Sequence, residues 1–293
     1  MFSLEKKRWQ WLAMLFLAFV WGASFILMKK GLLAFTDTQV AAIRIFFAFL
    51  VLLPMSIRSL RKVTRNNWLP LNLAGYLGNF FPAFLFTLAE TKLSSSLAGI
   101  LNSLTPFFTL IIGIALFGNR PRVLQYVGIT VGMLGAVLLI TNGNFNSFGD
   151  INSYAMLIVL ATFFYGINSN IIKFRLHGLT GVEITSLVFF FVGPVAGIVL
   201  FCTDLSAAYQ SQYFWPSLVA TLTLSLFGSV ITLFVFNSLV HKAGPIFASS
   251  VTYIIPIFAL MWGILDGEIL SLLQVSSMVI IILGVYLSSL RRR

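Results

Sequence analysis

The sequence predicts an all-α integral membrane protein of ten transmembrane helices, arranged as two inverted five-helix repeats. Three observations carry that reading. The composition is one that only lipid solvates, ten apolar runs have spanning length, and a pattern of Gly, Pro and aromatic residues recurs about 150 residues further on.

Of the 293 residues, 59% are hydrophobic, only 9% are charged and 30 are Phe. Soluble domains carry about 25% charged residues, so most of this chain is solvated by a bilayer. The net charge of +11 invites a nucleic-acid reading. Its placement at helix ends and mostly on one side excludes that and matches membrane topology. A single cysteine, Cys202, rules out an intramolecular disulfide, and His177 and His241 sit in predicted loops beside basic residues. No metal site or cofactor is expected.

A hydrocarbon core of about 30 Å needs roughly 20 helical residues. The first half supplies Trp9–Leu33, Thr38–Ile57, Trp68–Ala89, Ser94–Phe117 and Val123–Thr141. The second supplies Asn152–Phe174, Glu183–Cys202, Phe214–Val240, Pro245–Leu265 and Leu272–Leu290. These runs are continuous, without the dyad alternation of a membrane β-barrel. The first follows a basic start, Met1 to Arg8, and is long for a signal-peptide core, so it is expected to be retained.

Lys and Arg orient the bundle. With a cytoplasmic N-terminus, fifteen fall inside, among them Lys6–Arg8, Arg58–Arg65 and Arg291–Arg293. Three, Lys29, Lys30 and Lys92, fall outside, and Arg44 lies within a span. The bias predicts cytoplasmic termini in a plasma or inner membrane.

The repeat sets Ser96-Leu97-Ala98-Gly99 and Thr105-Pro106 against Ile246-Phe247-Ala248-Ser249 and Ile255-Pro256, at an offset of 150. Gly78 opposes Gly228 and Gly113 opposes Gly263. At offset 149, Gly118-Asn119 opposes Gly267-Glu268; at 144, Trp21-Gly22-Ala23-Ser24 opposes Tyr165-Gly166-Ile167-Asn168. Repeats of 1–145 and 146–293 each hold five spans. An odd number inverts the second half, and such inverted pairs are frequent in secondary transporters.

These motifs, in order and twice over, resemble the drug/metabolite transporter superfamily and its EamA-type members. The resemblance covers nearly the whole chain. It rests on Trp21 through Phe25, Ser95 through Pro106, Gly118 and Gln125, then Gly244-Pro245, Pro256, Gly267-Glu268, Gln274 and Gly284. It implies a ten-helix fold around a central cavity, alternating access, and export of amino acids or other small metabolites. One departure is Asn119, where the family pattern has Glu; Glu268 keeps the acid in the second half.

Polar side chains in lipid-spanning helices should face the interior or a wet cavity. Helical spacing places Ala98, Asn102, Thr105 and Thr109 on one face, with Pro106 freeing the carbonyl of Asn102. The equivalent face of the ninth span holds Ser249, Thr252 and Pro256, with Tyr253 beside it. Asn79 of the third span, Ser229 and Thr232 of the eighth, Trp21 and Ser24 of the first, and Tyr165 and Asn168 of the sixth complete the candidate wall. Small and hydroxyl residues also serve helix packing, so the amides, which cannot satisfy themselves locally, are the more informative. Gly128, Gly132 and Gly135 point to close packing of the fifth span, in scaffold or dimer surface; monomer and homodimer stay open. Trp9, Trp11, Trp68 and Trp215 suit the interfacial belt.

Arg44 is the one charge well inside a span, about six residues or roughly 9 Å past Thr38. It either snorkels to the outer interface, or meets a substrate carboxylate, or pairs with Glu90 or Asp37. No Asp or Glu falls deep in a span, since Glu90, Asp266 and Glu268 lie near outer ends and Glu183 near an inner one. That predicts a neutral, aromatic and amide-lined cavity with weak or no proton coupling. The expected ligand is an amphipathic small molecule such as an amino acid. Phosphate esters, nucleotide sugars and multidrug substrates are the alternatives, the first two disfavoured by few cavity cations. A channel-like facilitator is a further one. No motif for an intramembrane enzyme is present.

Overall fold

A computed structural model describes residues 4–118, 123–140, 153–243, 247–248, 250–269 and 271–289, which hold helices and turns and no strand. Among them, seven helices are long and apolar enough to cross a bilayer. They are α1 (Lys7–Gly31), α2 (Asp37–Lys62, with a 3₁₀ last turn), α3 (Arg65–Glu90), α4 (Ser95–Phe117), α6 (Ser153–Arg175), α7 (Gly181–Phe201) and α8 (Phe214–Ala243). The other three predicted runs form shorter apolar helices, α5 (Val123–Ile140), α9 (Ile255–Leu265) and α10 (Leu272–Ser289). Asn119, the Gly244-Pro245 pair, Ser249 and the Arg291–Arg293 tail lie outside the described residues.

Helix starts are written locally. Thr36 and Gln39 form a capping box at α2, and Thr180 and Glu183 form another at α7. The Gln39 amide also donates to the Asp204 carbonyl at 2.8 Å, tying α2 to the loop after α7.

Among the described residues, four of the predicted runs depart from regular α-helix. The fourth is not the continuous run predicted: it breaks at Ser103-Leu104 into Ser95–Asn102 and Thr105–Phe117. Pro106 has no N–H to offer Asn102, and the Thr105 hydroxyl takes that carbonyl instead, at 2.9 Å. The ninth breaks likewise, with a 3₁₀ turn Ser250–Tyr253 ahead of Ile255-Pro256. Spans three and eight carry π-helical turns, Tyr76–Phe80 and Leu224–Ile231.

The principal packing pairs are α5 with α10, α2 with α7, α4 with α6, α3 with α6, α1 with α8 and α1 with α9. Small residues set the closest approaches. A Cβ on Gly22 would sit 2.5 Å from Phe258 Cβ, and one on Gly166 would sit 2.8 Å from the Phe108 and Thr109 backbone. Gly284 approaches Gly132 so closely that a Cβ would lie 2.1 Å from its amide nitrogen. The expected packing role of the fifth-span glycines is thus realised against α10. Gly284→Ala is therefore expected to destabilise the protein by about 1–3 kcal/mol through overpacking, read as a lower thermal midpoint in detergent.

Polarity is distributed as lipid requires. Ser, Thr and Asn side chains such as Ser56, Thr87, Asn170 and Thr185 are buried, while Phe201 (75% exposed) and Leu265 (72%) face outward. Trp11, Trp68 and Trp215 are exposed, as interfacial residues would be.

Candidate functional site

The broken and bulged helices, together with α1, α2 and α6, line a cavity of about 110 Å³. Its wall comprises Trp21, Ser24, Phe25 and Met28 of α1, Arg44 of α2, Gly78, Asn79 and Phe86 of α3, and Asn102 and Thr105 of α4. The second half adds Tyr165, Asn168 and Ser169 of α6, Gly228, Leu233 and Phe236 of α8, and Thr252.

Two aromatic pairs close this wall. The Trp21 ring meets Phe236 at 5.3 Å between centroids, and Tyr165 stacks on Phe86 at 6.1 Å. Trp21 Nε1 donates to the Gly228 carbonyl at 3.0 Å, within the π-helical turn that loosens this part of α8. Gly78 and Gly228 leave room for polar neighbours: a Cβ would lie 2.4 Å from Asn168 Nδ2 and 2.8 Å from Ser24 Oγ respectively. The Oδ1 atom of Asn168 is buried without a hydrogen-bond partner.

Of the sequence candidates, Trp21, Ser24, Arg44, Asn79, Asn102, Thr105, Tyr165 and Asn168 come together on this wall. Three do not line it. Ser229 stands behind it as the acceptor for Arg44, Thr232 is fully buried with no partner for its hydroxyl, and Tyr253 yields its place to Thr252. Asn237, a further amide of α8, donates to Thr185 Oγ1 at 2.9 Å. Phe25, Met28, Ser169 and Leu233 are wall residues that helical spacing did not single out.

Arg44 faces the cavity rather than snorkelling to an interface. Its Nε donates to Ser229 Oγ at 2.9 Å, Nη1 lies 3.9 Å from Met28 Sδ, and its carbonyl accepts from Ser225 Oγ at 2.6 Å. Of the alternatives for Arg44, a pairing with Glu90 or Asp37 is not made: the ion pairs among the described residues are Lys29–Glu268, Lys30–Asp266, Lys62–Glu183 and Lys242–Glu5. A guanidinium in this position presents a donor fork to whatever occupies the cavity.

Comparison with known proteins agrees with this architecture. The profile of the EamA-like transporter family matches residues 8–141 and again residues 152–290. The chain belongs to the EamA-like transporter family. It is 28% identical over 290 residues to the inner-membrane protein of Escherichia coli K12 named "Uncharacterized inner membrane transporter YedA", covering 95% of this chain and 90% of that one. The counterparts in E. coli O6:H1 and O157:H7 match to the same extent. A crystal structure 14% identical superposes with a TM-score of 0.66 over 97% of this chain and 98% of the other, a likeness of fold.

Beside the cavity, this EamA-like chain has a carboxylate clamp at the end predicted to be external. Glu268, in the α9–α10 connection, accepts four hydrogen bonds at the start of α4. They come from the amides of Ser95 and Ser96, at 2.7 and 3.0 Å, and from their hydroxyls, at 2.7 and 2.6 Å. Lys29 lies 4.0 Å from the same carboxylate, and Lys30 pairs with Asp266. Burial opposes ionisation of Glu268, but the hydroxyl and amide donors together outweigh it and hold the carboxyl below its usual range.

Glu90 ends α3, as the spans predict, but its surroundings were not foreseen. Its place at the end of a span suggested an acid at the outer mouth. Instead it is 1% exposed, and neither carboxyl oxygen has a hydrogen-bond partner. Burial here follows from neighbouring helices packing over the end of α3, which span-by-span reading does not capture.

Proposed function

We propose that this chain is a secondary carrier that exports small amphipathic solutes bearing a carboxylate, amino acids foremost, by alternating access through the Arg44 cavity. The observation that carries the reading is the guanidinium on the wall, without a carboxylate partner among the described residues, inside a bilayer-spanning bundle. Charged side chains at such depth are costly and mark substrate paths. The amides of Asn79, Asn102 and Asn168 offer donors and acceptors for a second polar group, and Trp21, Phe86, Tyr165 and Phe236 offer apolar faces.

Two inverted repeats, 1–145 and 146–293, with ten spans and cytoplasmic termini, supply the alternation. Exchanging the halves carries α4·α6 onto α9·α1 and α3·α6 onto α8·α1, while α2·α7 and α5·α10 map onto themselves. The Gly22–Phe258 contact maps onto Gly166–Phe108, and the Trp21–Phe236 pair onto Tyr165–Phe86. A cavity of this size favours an amino acid over a nucleotide sugar, which would also call for more cations than Arg44.

The test is counterflow. Proteoliposomes loaded with a mixed amino-acid pool should take up labelled amino acids saturably, and uptake should be trans-stimulated. Absence of exchange with every amino acid would remove this substrate class. Non-saturable uptake without trans-stimulation would instead indicate a channel.

A further inference from the structure

We propose that Glu90 is a proton-binding site whose occupancy is tied to closure of the Glu268 end of the cavity. The inference rests on the alternating-access reading above and adds to it the ion that biases the two states.

Glu90 ends α3, with Ala89 (0% exposed) and Leu93 (3%) buried on either side of it. The charged and titratable groups facing it are Lys29 from α1, Arg44 from α2 and Glu268 from the α9–α10 connection. Tyr165 of α6 comes up against α3 through its stack on Phe86. None satisfies the carboxyl. The Lys29 ammonium is engaged by the Leu93 carbonyl at 2.9 Å and lies 4.0 Å from Glu268, and Arg44 Nε is engaged by Ser229. Glu268 adds a second negative charge nearby. An ionised carboxylate stripped of water and of every hydrogen bond is among the costliest groups to bury, whereas a neutral acid is not.

The closed arrangement therefore holds Glu90 with its proton. Opening, in which Glu268 leaves Ser95 and Ser96, admits water to Glu90, and the proton passes to that water. Closing takes one back from the same side. A state that binds the extra proton gains population as that side becomes more acidic. Glu268 acts in the opposite sense, since its clamp is lost by protonation, but only in acid below the usual carboxylate range.

The experiment uses the full chain in lipid nanodiscs with spin labels at Lys92→Cys and Ile269→Cys in a Cys202→Ser background, all three positions being exposed. Between pH 5 and 9 the short-distance, closed population should fall as pH rises. The closed-to-open ratio should change by up to about tenfold per pH unit, the limit for one linked proton. Glu90→Gln, a neutral near-isostere, should stay closed and lose the pH dependence. Infrared spectra of the unsubstituted protein should contain a neutral-carboxyl stretch that fades over the same pH interval, a readout that needs no variant. A distance distribution independent of pH, an unchanged dependence in Glu90→Gln, or no fading carboxyl band would overturn the proposal. Neither measurement needs a substrate, so a failed amino-acid counterflow assay would remove the substrate class without deciding this proposal, and a pH-independent distance distribution would overturn this proposal without touching the substrate class.

Discussion

Arg44→Gln is expected to raise the half-saturation concentration for a carboxylate substrate about 100-fold, with little change in thermal stability. The guanidinium is placed by Ser229 and packed beside Met28, so its fork is aimed before a ligand arrives. Removing one partner of a desolvated charge pair costs about 2–5 kcal/mol, and roughly 3 kcal/mol corresponds to that hundredfold. Arg44→Lys keeps the charge but replaces the planar fork with a point donor, so a loss of roughly tenfold is expected. Counterflow with amino acids and with the corresponding amino-acid amides, which lack the carboxylate, separates a binding role from a structural one. The parent protein should discriminate strongly against the amide, and Arg44→Gln should erase that discrimination. Equal losses for acid and amide, together with a lowered thermal midpoint, would assign Arg44 to packing instead.

Much of this cavity was legible because regular helix obeys simple spacing. Trp21 and Ser24, or Tyr165 and Asn168, lie three residues apart on regular stretches, and all four reach the wall. The misplaced candidates lie in or directly beside distorted stretches. A π-helical turn, with i→i+5 hydrogen bonds, inserts an extra residue into the helical register. The turn spanning Leu224–Ile231 includes Ser229 and ends just before Thr232, so spacing extrapolated through it aims both side chains wrongly. In the ninth run, Thr252, which spacing put on the inward face, reaches the wall, whereas Tyr253 beside it does not. Such turns leave no clear signature in a single sequence. Pro106 did announce the freed carbonyl of Asn102, since a missing N–H is a covalent fact, though not that the helix would part there.

Contacts between the halves were harder to read. Lys29 and Glu268 are 239 positions apart, and nothing in either local pattern states that one lies 4.0 Å from the other. Glu90 fails for the same reason. Hydropathy locates a span's end, but whether that end meets water depends on what packs over it. The repeat offers partial help, since a contact found in one half points to its image in the other, as Gly22 and Gly166 do.

Glu268→Gln should open the clamped end, because the four hydrogen bonds from Ser95 and Ser96 are charge-assisted and converge on one carboxylate. Hydrogen bonds to a charged group contribute about 1.5–3 kcal/mol each. An amide offers one acceptor oxygen and turns two donors toward the donors of α4. It also loses the attraction to the helix start and to Lys29. A shift of at least about tenfold toward the open state is therefore expected, since even one such bond amounts to that factor. The same spin-label pair reads it. The pH dependence follows from the direction of the Glu268 shift. A carboxyl held below its ordinary value contributes closure that is fully present above the ordinary range and lost as pH falls through the lowered value. Between pH 5 and 8 the parent clamp should thus be constant, and Glu268→Gln should be open throughout. The corresponding position of the first half is Asn119, which carries no charge. Glu268→Gln makes these two repeat-related positions of the sequence alike in charge. If the difference in charge between them sets the resting state, the variant should populate both orientations, with exchange rates limited more nearly equally in the two directions. An unchanged distance distribution in Glu268→Gln would mean that the remaining helix contacts, such as α9 against the start of α4, hold this end closed without the carboxylate.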